Sequence, residues 1–206
     1  MTVLCSEASI RIRKYSNAIA KELFRKSIHI CSAAVPFFLC RWYWETIAAL
    51  FVLLITYIVS ESLRLRGKTV PVISAITAAA ARKRDENRFV LGPVTLCCGI
   101  ILCALLCRSP QAASVGIFAL AFGDGIASLM GKLFGNVRIP FTAGKSVVGS
   151  LSCFSAIFLA TFLFTHSSFT ALIIAFCGMI IEVFPLKDMD NIAIPVIVGF
   201  IYSFMI

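Results

Sequence analysis

The sequence predicts an all-α protein: a polytopic membrane helical bundle of about seven transmembrane helices with a cytoplasmic amino terminus. Three observations carry this expectation. Hydrophobic residues make up 60% of the 206, only 14% are charged, and the mean hydropathy is +0.96, which is more apolar surface than one soluble core absorbs. The apolar residues gather in runs close to the ~20 residues that cross a hydrocarbon layer. The basic residues gather in alternate connections between those runs, as the cytoplasmic preference of lysine and arginine requires.

Segment 1–25 is polar and basic and lacks the apolar core of a signal peptide, so it is expected to be retained on the cytoplasmic side. Spans are predicted over 26–41, 43–60, 89–107, 112–130, 147–165, 169–183 and 191–206. The first, sixth and seventh are short, which leaves six or eight passes as alternatives. The connection 61–88 holds an Ala-rich stretch suited to a helix lying at the membrane surface. Trp42, Tyr43 and Trp44 read as an interfacial anchor on the outer side. Of the 19 lysines and arginines, all but Arg41 and Arg108 fall before the first span, in 61–88, in the loop 131–146 or after the sixth span. The net charge of +9 is therefore topological, a nucleic-acid partner is excluded, and the carboxyl terminus is placed outside. No internal repeat or polar linker divides the chain, so residues 1–206 form a single integral membrane domain. The nine cysteines lie almost wholly in apolar runs without a C-x-x-C pair and read as packing residues.

Five constellations could carry chemistry. Glu22, Arg25, Lys26 and His29 recur at i, i+3, i+4 and i+7, one polar stripe on a helix entering the membrane. Alone it also fits an interfacial anchor, except that an imidazole one turn deeper needs a partner. In "FGDGIASLMGKLFG", Ala119, Gly123, Ala127, Gly131 and Gly135 recur every four residues, a ladder that permits close approach of a helix or a ligand. Asp124 borders it, and an intramembrane carboxylate is by default functional, the alternative being a packing pair with a lysine such as Lys145. The loop 131–146 ends in "AGKS", which fails as a P-loop because Ile139 stands at the first glycine position. Lys145 and Ser146 nevertheless sit where a helix begins, with free backbone N–H groups suited to phosphate. Glu182, Lys187, Asp188, Asp190 and Asn191 cluster before the last span, and Asp124, Asp190 and Glu182 are separated carboxylates of the kind that hold Mg²⁺. In "ARKRDENRF" Glu86 stands among Arg82, Lys83, Arg84 and Arg88.

Taken in order, "ELFRKSIH", "RDENRFVLGPV", "FGDGIASLMGKLFG", "AGKSVVGS" and "EVFPLKDMDNIAIP" resemble the polyprenol kinase family of dolichol kinase, phytol kinase and CTP-dependent diacylglycerol kinase, from about residue 20 to the end. The resemblance implies CTP-dependent transfer of the terminal phosphoryl group to the hydroxyl of a membrane lipid alcohol, at a cytoplasmic active site of a multi-pass protein. The family's polar positions fall on Glu22, Arg25, Lys26, His29, Glu86, Gly123, Asp124, Gly131, Gly135, Lys145, Ser146, Gly149, Ser150, Glu182, Asp190, Asn191 and Pro195. One departure is Val148, where members commonly carry glutamate.

The expected roles follow. Asp124, Lys145, His29 and Asp190 are catalytic, with either His29 or Asp124 the base for the lipid hydroxyl. Arg25, Lys26, Gly123, Gly131, Lys132, Gly135, Ser146, Gly149, Ser150 and Asn191 bind the nucleotide, and Asp124, Asp190 and Glu182 hold Mg²⁺. CTP is the expected phosphoryl donor, the lipid chain is expected along the glycine ladder, and self-association as a homo-oligomer is left open. The nearest enzymatic rival, a phosphatidate cytidylyltransferase, lacks its H-G-G and D-R signature here. A small membrane transporter predicts polar residues through to the outer side, whereas these stop in the inner half.

Overall fold

The computed structural model describes residues 2–81, 88–142 and 144–206, with side chains from residue 16 onward apart from residue 18. The described residues form ten α-helices, with short 3₁₀ and π turns, one isolated β-bridge, Arg138 to Ser146, and no strand.

Helix α1 (Thr2–Cys31) runs through a 3₁₀ turn at Ser32–Ala34 into α2 (Val35–Arg41). Pro36 has no N–H to give the Ser32 carbonyl, and the Val35 N–H takes that carbonyl instead, which tightens the turn. The expected first span, 26–41, is thus the second half of a helix that reaches back to Thr2. Trp42, outside helical geometry, separates α2 from α3 (Tyr43–Leu65), and Tyr43 Oη donates to the Ala104 carbonyl at 2.6 Å. The short α4 (Pro71–Ala80) packs on α1 and α3. Next come α5 (Gly92–Leu106) and α6 (Pro110–Phe118), the latter continuing through a π-helical turn at Ala119–Asp124 into α7 (Gly125–Phe134). The last three are α8 (Val147–Thr165), α9 (Ser168–Val183) and α10 (Asp190–Tyr202).

Each of the seven expected apolar segments is helical. Among the described residues four stretches are long and apolar enough to cross a membrane: Ile19–Arg41, Tyr43–Leu65, Pro110–Phe134 and Val147–Thr165. Helices α5, α9 and α10 are shorter, at 15, 16 and 13 residues.

The core forms where α10 lies against α5 and α6 while α8 and α9 pack side by side. Ile117, Leu120, Ile157, Ile174, Ile194 and Val198 are fully buried there. Backbones touch along α10: a Cβ on Gly99 would meet the Asn191 carbonyl, and one on Gly116 the Pro195 carbonyl. Cys103 Sγ donates to that Pro195 carbonyl at 3.1 Å. The eight described cysteines are free thiols.

Candidate functional site

The polar stripe of α1 meets a second polar stripe on the π turn and α7. Asp124, Ser128 and Lys132 stand four residues apart and so share one helical face. The two faces run antiparallel and match charge for charge. Glu22 accepts from Ser128 Oγ at 2.7 Å and from Lys132 Nζ at 2.6 Å, and Arg25 of its own helix donates to it as well. One turn deeper, Lys26 Nζ donates to Asp124 Oδ2 at 2.5 Å. His29 Nδ1 lies 3.2 Å from the same oxygen, within ion-pair distance but off the line of a well-aligned hydrogen bond. Glu22, Lys26, His29 and Asp124 are all buried, Asp124 to 4% exposure. The acid in the apolar run therefore faces the bundle interior, and its main partner is Lys26 rather than Lys145.

The π turn sets this alignment. An extra residue in one turn shifts the helical register of all that follows by about 100°. The turn ends on Asp124, so it decides which way the carboxylate and the α7 face point.

The loop between α7 and α8 is closed on itself. Ile139 N donates to the Lys145 carbonyl at 2.9 Å and Val147 N to the Val137 carbonyl at 3.1 Å. Arg138 Nη1 donates to the Gly144 carbonyl at 2.7 Å. This fixes Lys145, whose ammonium donates to Glu182 at the end of α9. Burial pulls the Lys145 pKa down, but the Glu182 carboxylate beside it outweighs burial, so the pKa lies above the ordinary lysine value. Ser146 caps α8 by accepting from Gly149 N at 3.1 Å. The row of free N–H groups expected here is thus partly used, by this cap and by the Val147 bond.

Apart from Glu22, these charged groups line one cavity of about 330 Å³. Six cationic side chains face it, Arg25, Lys26, Lys132, Arg138, Lys145 and Lys187, against four carboxylates, Asp124, Glu182, Asp188 and Asp190. His29, Ser128, Ser146, Ser150 and Asn191 complete the polar walls, and Ile28, Ala80, Val90, Pro93 and Leu96 form an apolar one. The Ser150 hydroxyl is buried without a hydrogen-bond partner.

The cavity gathers most of the expected site: Arg25, Lys26, His29, Asp124, Gly131, Lys132, Lys145, Ser146, Gly149, Ser150, Glu182, Asp190 and Asn191. Gly123 and Gly135 lie outside its wall. A Cβ on Gly123 would meet the Ile157 side chain at 2.8 Å, and one on Gly135 the Gly131 carbonyl and Ser146. The glycine ladder is filled by α8 and does not offer the expected groove for a lipid chain. Asn191 Nδ2 donates to Thr95 Oγ1 at 2.9 Å and so ties α10 to α5 as well as facing the cavity. Val148 is half-buried on α8 and does not line the cavity. Glu86 and its neighbours Arg82, Lys83, Arg84 and Asp85 lie outside the described residues. Ser128, Arg138 and Thr95 were not anticipated, although the four-residue spacing of Asp124, Ser128 and Lys132 was present in the sequence.

The residues fit a magnesium ion shared with phosphates. Among the described residues Asp190 makes no ion pair and accepts only from its neighbour's backbone, Asn191 N at 2.9 Å. Among those residues no group of three or more metal-ligating side chains stands close enough to hold a metal unaided. Mg²⁺ does not ask for one, since it commonly takes one or two carboxylates, waters and substrate phosphates.

No protein-family model matches the chain, and no solved structure matches it. It is 25% identical over 199 residues to phytol kinase 1, chloroplastic, of Arabidopsis thaliana, covering 87% of this chain and 65% of that protein. It is 26% identical over 191 residues to a chloroplastic farnesol kinase of the same plant, covering 83% and 61%. An uncharacterised protein of Methanocaldococcus jannaschii is 26% identical over 189 residues, covering 90% and 95%. The chain thus spans about 65% of the length of the phytol kinase it matches. These likenesses support the polyprenol and phytol kinase family for this chain.

Proposed function

We propose that this chain, similar over most of its length to phytol and farnesol kinases, is a CTP-dependent lipid-alcohol kinase. It crosses the membrane seven times with its amino terminus and active site on the cytoplasmic side. The observation that carries the reading is a single cavity in which a buried aspartate, the loop lysine Lys145 and five further basic side chains stand opposite an apolar wall. Phosphoryl transfer asks chiefly for positioning and charge stabilisation, which such a site supplies.

In this reading Lys145, Arg138 and Lys132 grip the nucleotide phosphates, and the unpartnered Ser150 hydroxyl donates to a phosphate oxygen. Asp124 and Asp190 would hold Mg²⁺, which when bound spreads charge away from the terminal phosphate. Arg25 and Lys26 add positive charge on the α1 side. Asp124 lies beside His29 Nδ1, and Nε2 is the nitrogen left to take the proton of the acceptor hydroxyl. The hydroxyl oxygen bonds the terminal phosphorus as the bond from phosphorus to its bridging oxygen breaks, and CDP leaves. Glu182 holds Lys145 in place and, like Asp124 with Lys26, already has a cation beside it.

The test supplies purified protein in detergent with CTP or ATP and a panel of phytol, farnesol, polyprenols and diacylglycerol. A phosphorylated isoprenoid alcohol with CTP preferred is the expected product. A CDP-lipid, or no lipid product with any alcohol, contradicts the reading.

A further inference from the structure

Helix α3 carries a buried carboxylate that the chemistry above does not use. Glu61 is 1% exposed. Arg64 binds it through Nε and Nη2, both at 2.8 Å, and the Val90 N–H donates to Glu61 Oε1 at 2.8 Å. Arg64 Nη2 also donates to the Arg88 carbonyl at 2.8 Å, and Tyr57 Oη to the Val90 carbonyl at 3.0 Å. Three side chains of one helix thus hold the backbone of residues 88–90, a stretch with no regular secondary structure. Burying a carboxylate on an apolar helix carries a desolvation cost even with the partly exposed Arg64 beside it, so what it holds matters.

What it holds is the apolar side of the cavity. Val90 faces the cavity, followed by Pro93 and Leu96 at the start of α5, with Ala80 at the end of α4 and Ile28 from α1. Helix α4 packs on α1 and α3, while among the described residues α1 makes no extended contact with α3 or α5. An alcohol with a long hydrocarbon chain must place its hydroxyl among charged groups and keep its chain out of water, and this sector of the described residues offers both.

We propose that this sector seats the first carbons of a long-chain lipid alcohol entering between α1 and α5, and that Glu61 is a positioning residue that fixes the seat by holding Val90. The inference rests on the lipid-alcohol reading above and adds where the acceptor lies.

The test uses full-length protein in lipid nanodiscs with an isoprenoid alcohol bearing a diazirine near its hydroxyl. Photolabel is expected on Ile28, Ala80 or residues 90–96, with competition by unlabelled phytol. Val90→Trp and Leu96→Trp, which fill the seat, lower that labelling by ~10-fold, the scale on which a pocket rejects misplaced methylenes. Glu61→Ala lowers it similarly, Glu61→Gln retains more because it still accepts from the Val90 N–H, and CTP affinity stays close to wild type in all four. Label spread over the outer surface, label unaffected by Val90→Trp, or CTP affinity falling in step with the label overturns the proposal. Transfer is read separately: wild-type protein labelled at this wall that phosphorylates no alcohol overturns the kinase reading and upholds the seat.

Discussion

At the residue scale the site is an arrangement of buried charges that satisfy one another. Removing one partner of such a pair strands the other, a loss of about 3–5 kcal/mol, whereas replacing both by apolar groups is often close to neutral. Lys26→Met should therefore lower the melting temperature in detergent markedly, and Lys26→Met with Asp124→Leu should restore most of it. If the single variant melts like wild type, the Lys26 to Asp124 contact is not a structural pair. Lys145 gives a second expectation. Its pKa is raised by Glu182 over the effect of burial, so the charged form, and the stability of that pair, persist below the ordinary lysine value and are lost only as pH rises through the raised one. CTP affinity should show no Lys145 titration between about pH 6 and 9, and Lys145→Ala should weaken it ~10²-fold while Lys145→Arg retains part. A lysine-dependent fall in affinity within that range would contradict the pairing. Much of this was legible in the sequence, because Glu22, Lys26 and His29 keep helical spacing and Asp124 stands out in an apolar run. What the sequence hid was the pairing: Lys26, not Lys145, meets Asp124, since spacing fixes a face and not its neighbour.

At the element scale, seven apolar segments were read as helices and all seven are helical, because apolar run length is a strong signal. The π turn at Ala119–Asp124 left no trace in composition, yet it aims the α7 face at α1. The glycine ladder was legible as a close-approach surface, but its occupant was not: α8 lies there, with a Cβ on Gly131 meeting Ser146 Oγ at 2.9 Å. Gly131→Val should therefore push Ser146 from its cap and destabilise by about 1–3 kcal/mol, read as a lower melting temperature. Ser146→Ala, which removes only the cap, should cost about 1 kcal/mol. A Gly131→Val protein as stable as wild type would mean that α7 and α8 do not pack this closely.

At the scale of the whole molecule, seven helices and one closed loop meet at a single cavity. Basic residues concentrate in the connections on that side, and this makes orientation a testable consequence of the same charges. A green fluorescent protein fused to the amino terminus should fluoresce, and alkaline phosphatase fused to the carboxyl terminus should be active outside; the reverse pattern would put the cavity on the wrong side for a cytoplasmic nucleotide. The central claim is that this cavity moves a terminal phosphoryl group onto a lipid hydroxyl with Asp124 at its heart. Its most direct measurement follows CTP labelled at the terminal phosphate into phytol or farnesol, comparing wild-type protein with Asp124→Asn. The account predicts label in the lipid with wild type and a loss of at least ~10²–10³-fold with the variant. Equal transfer by the two proteins, or label that never reaches lipid, would contradict it.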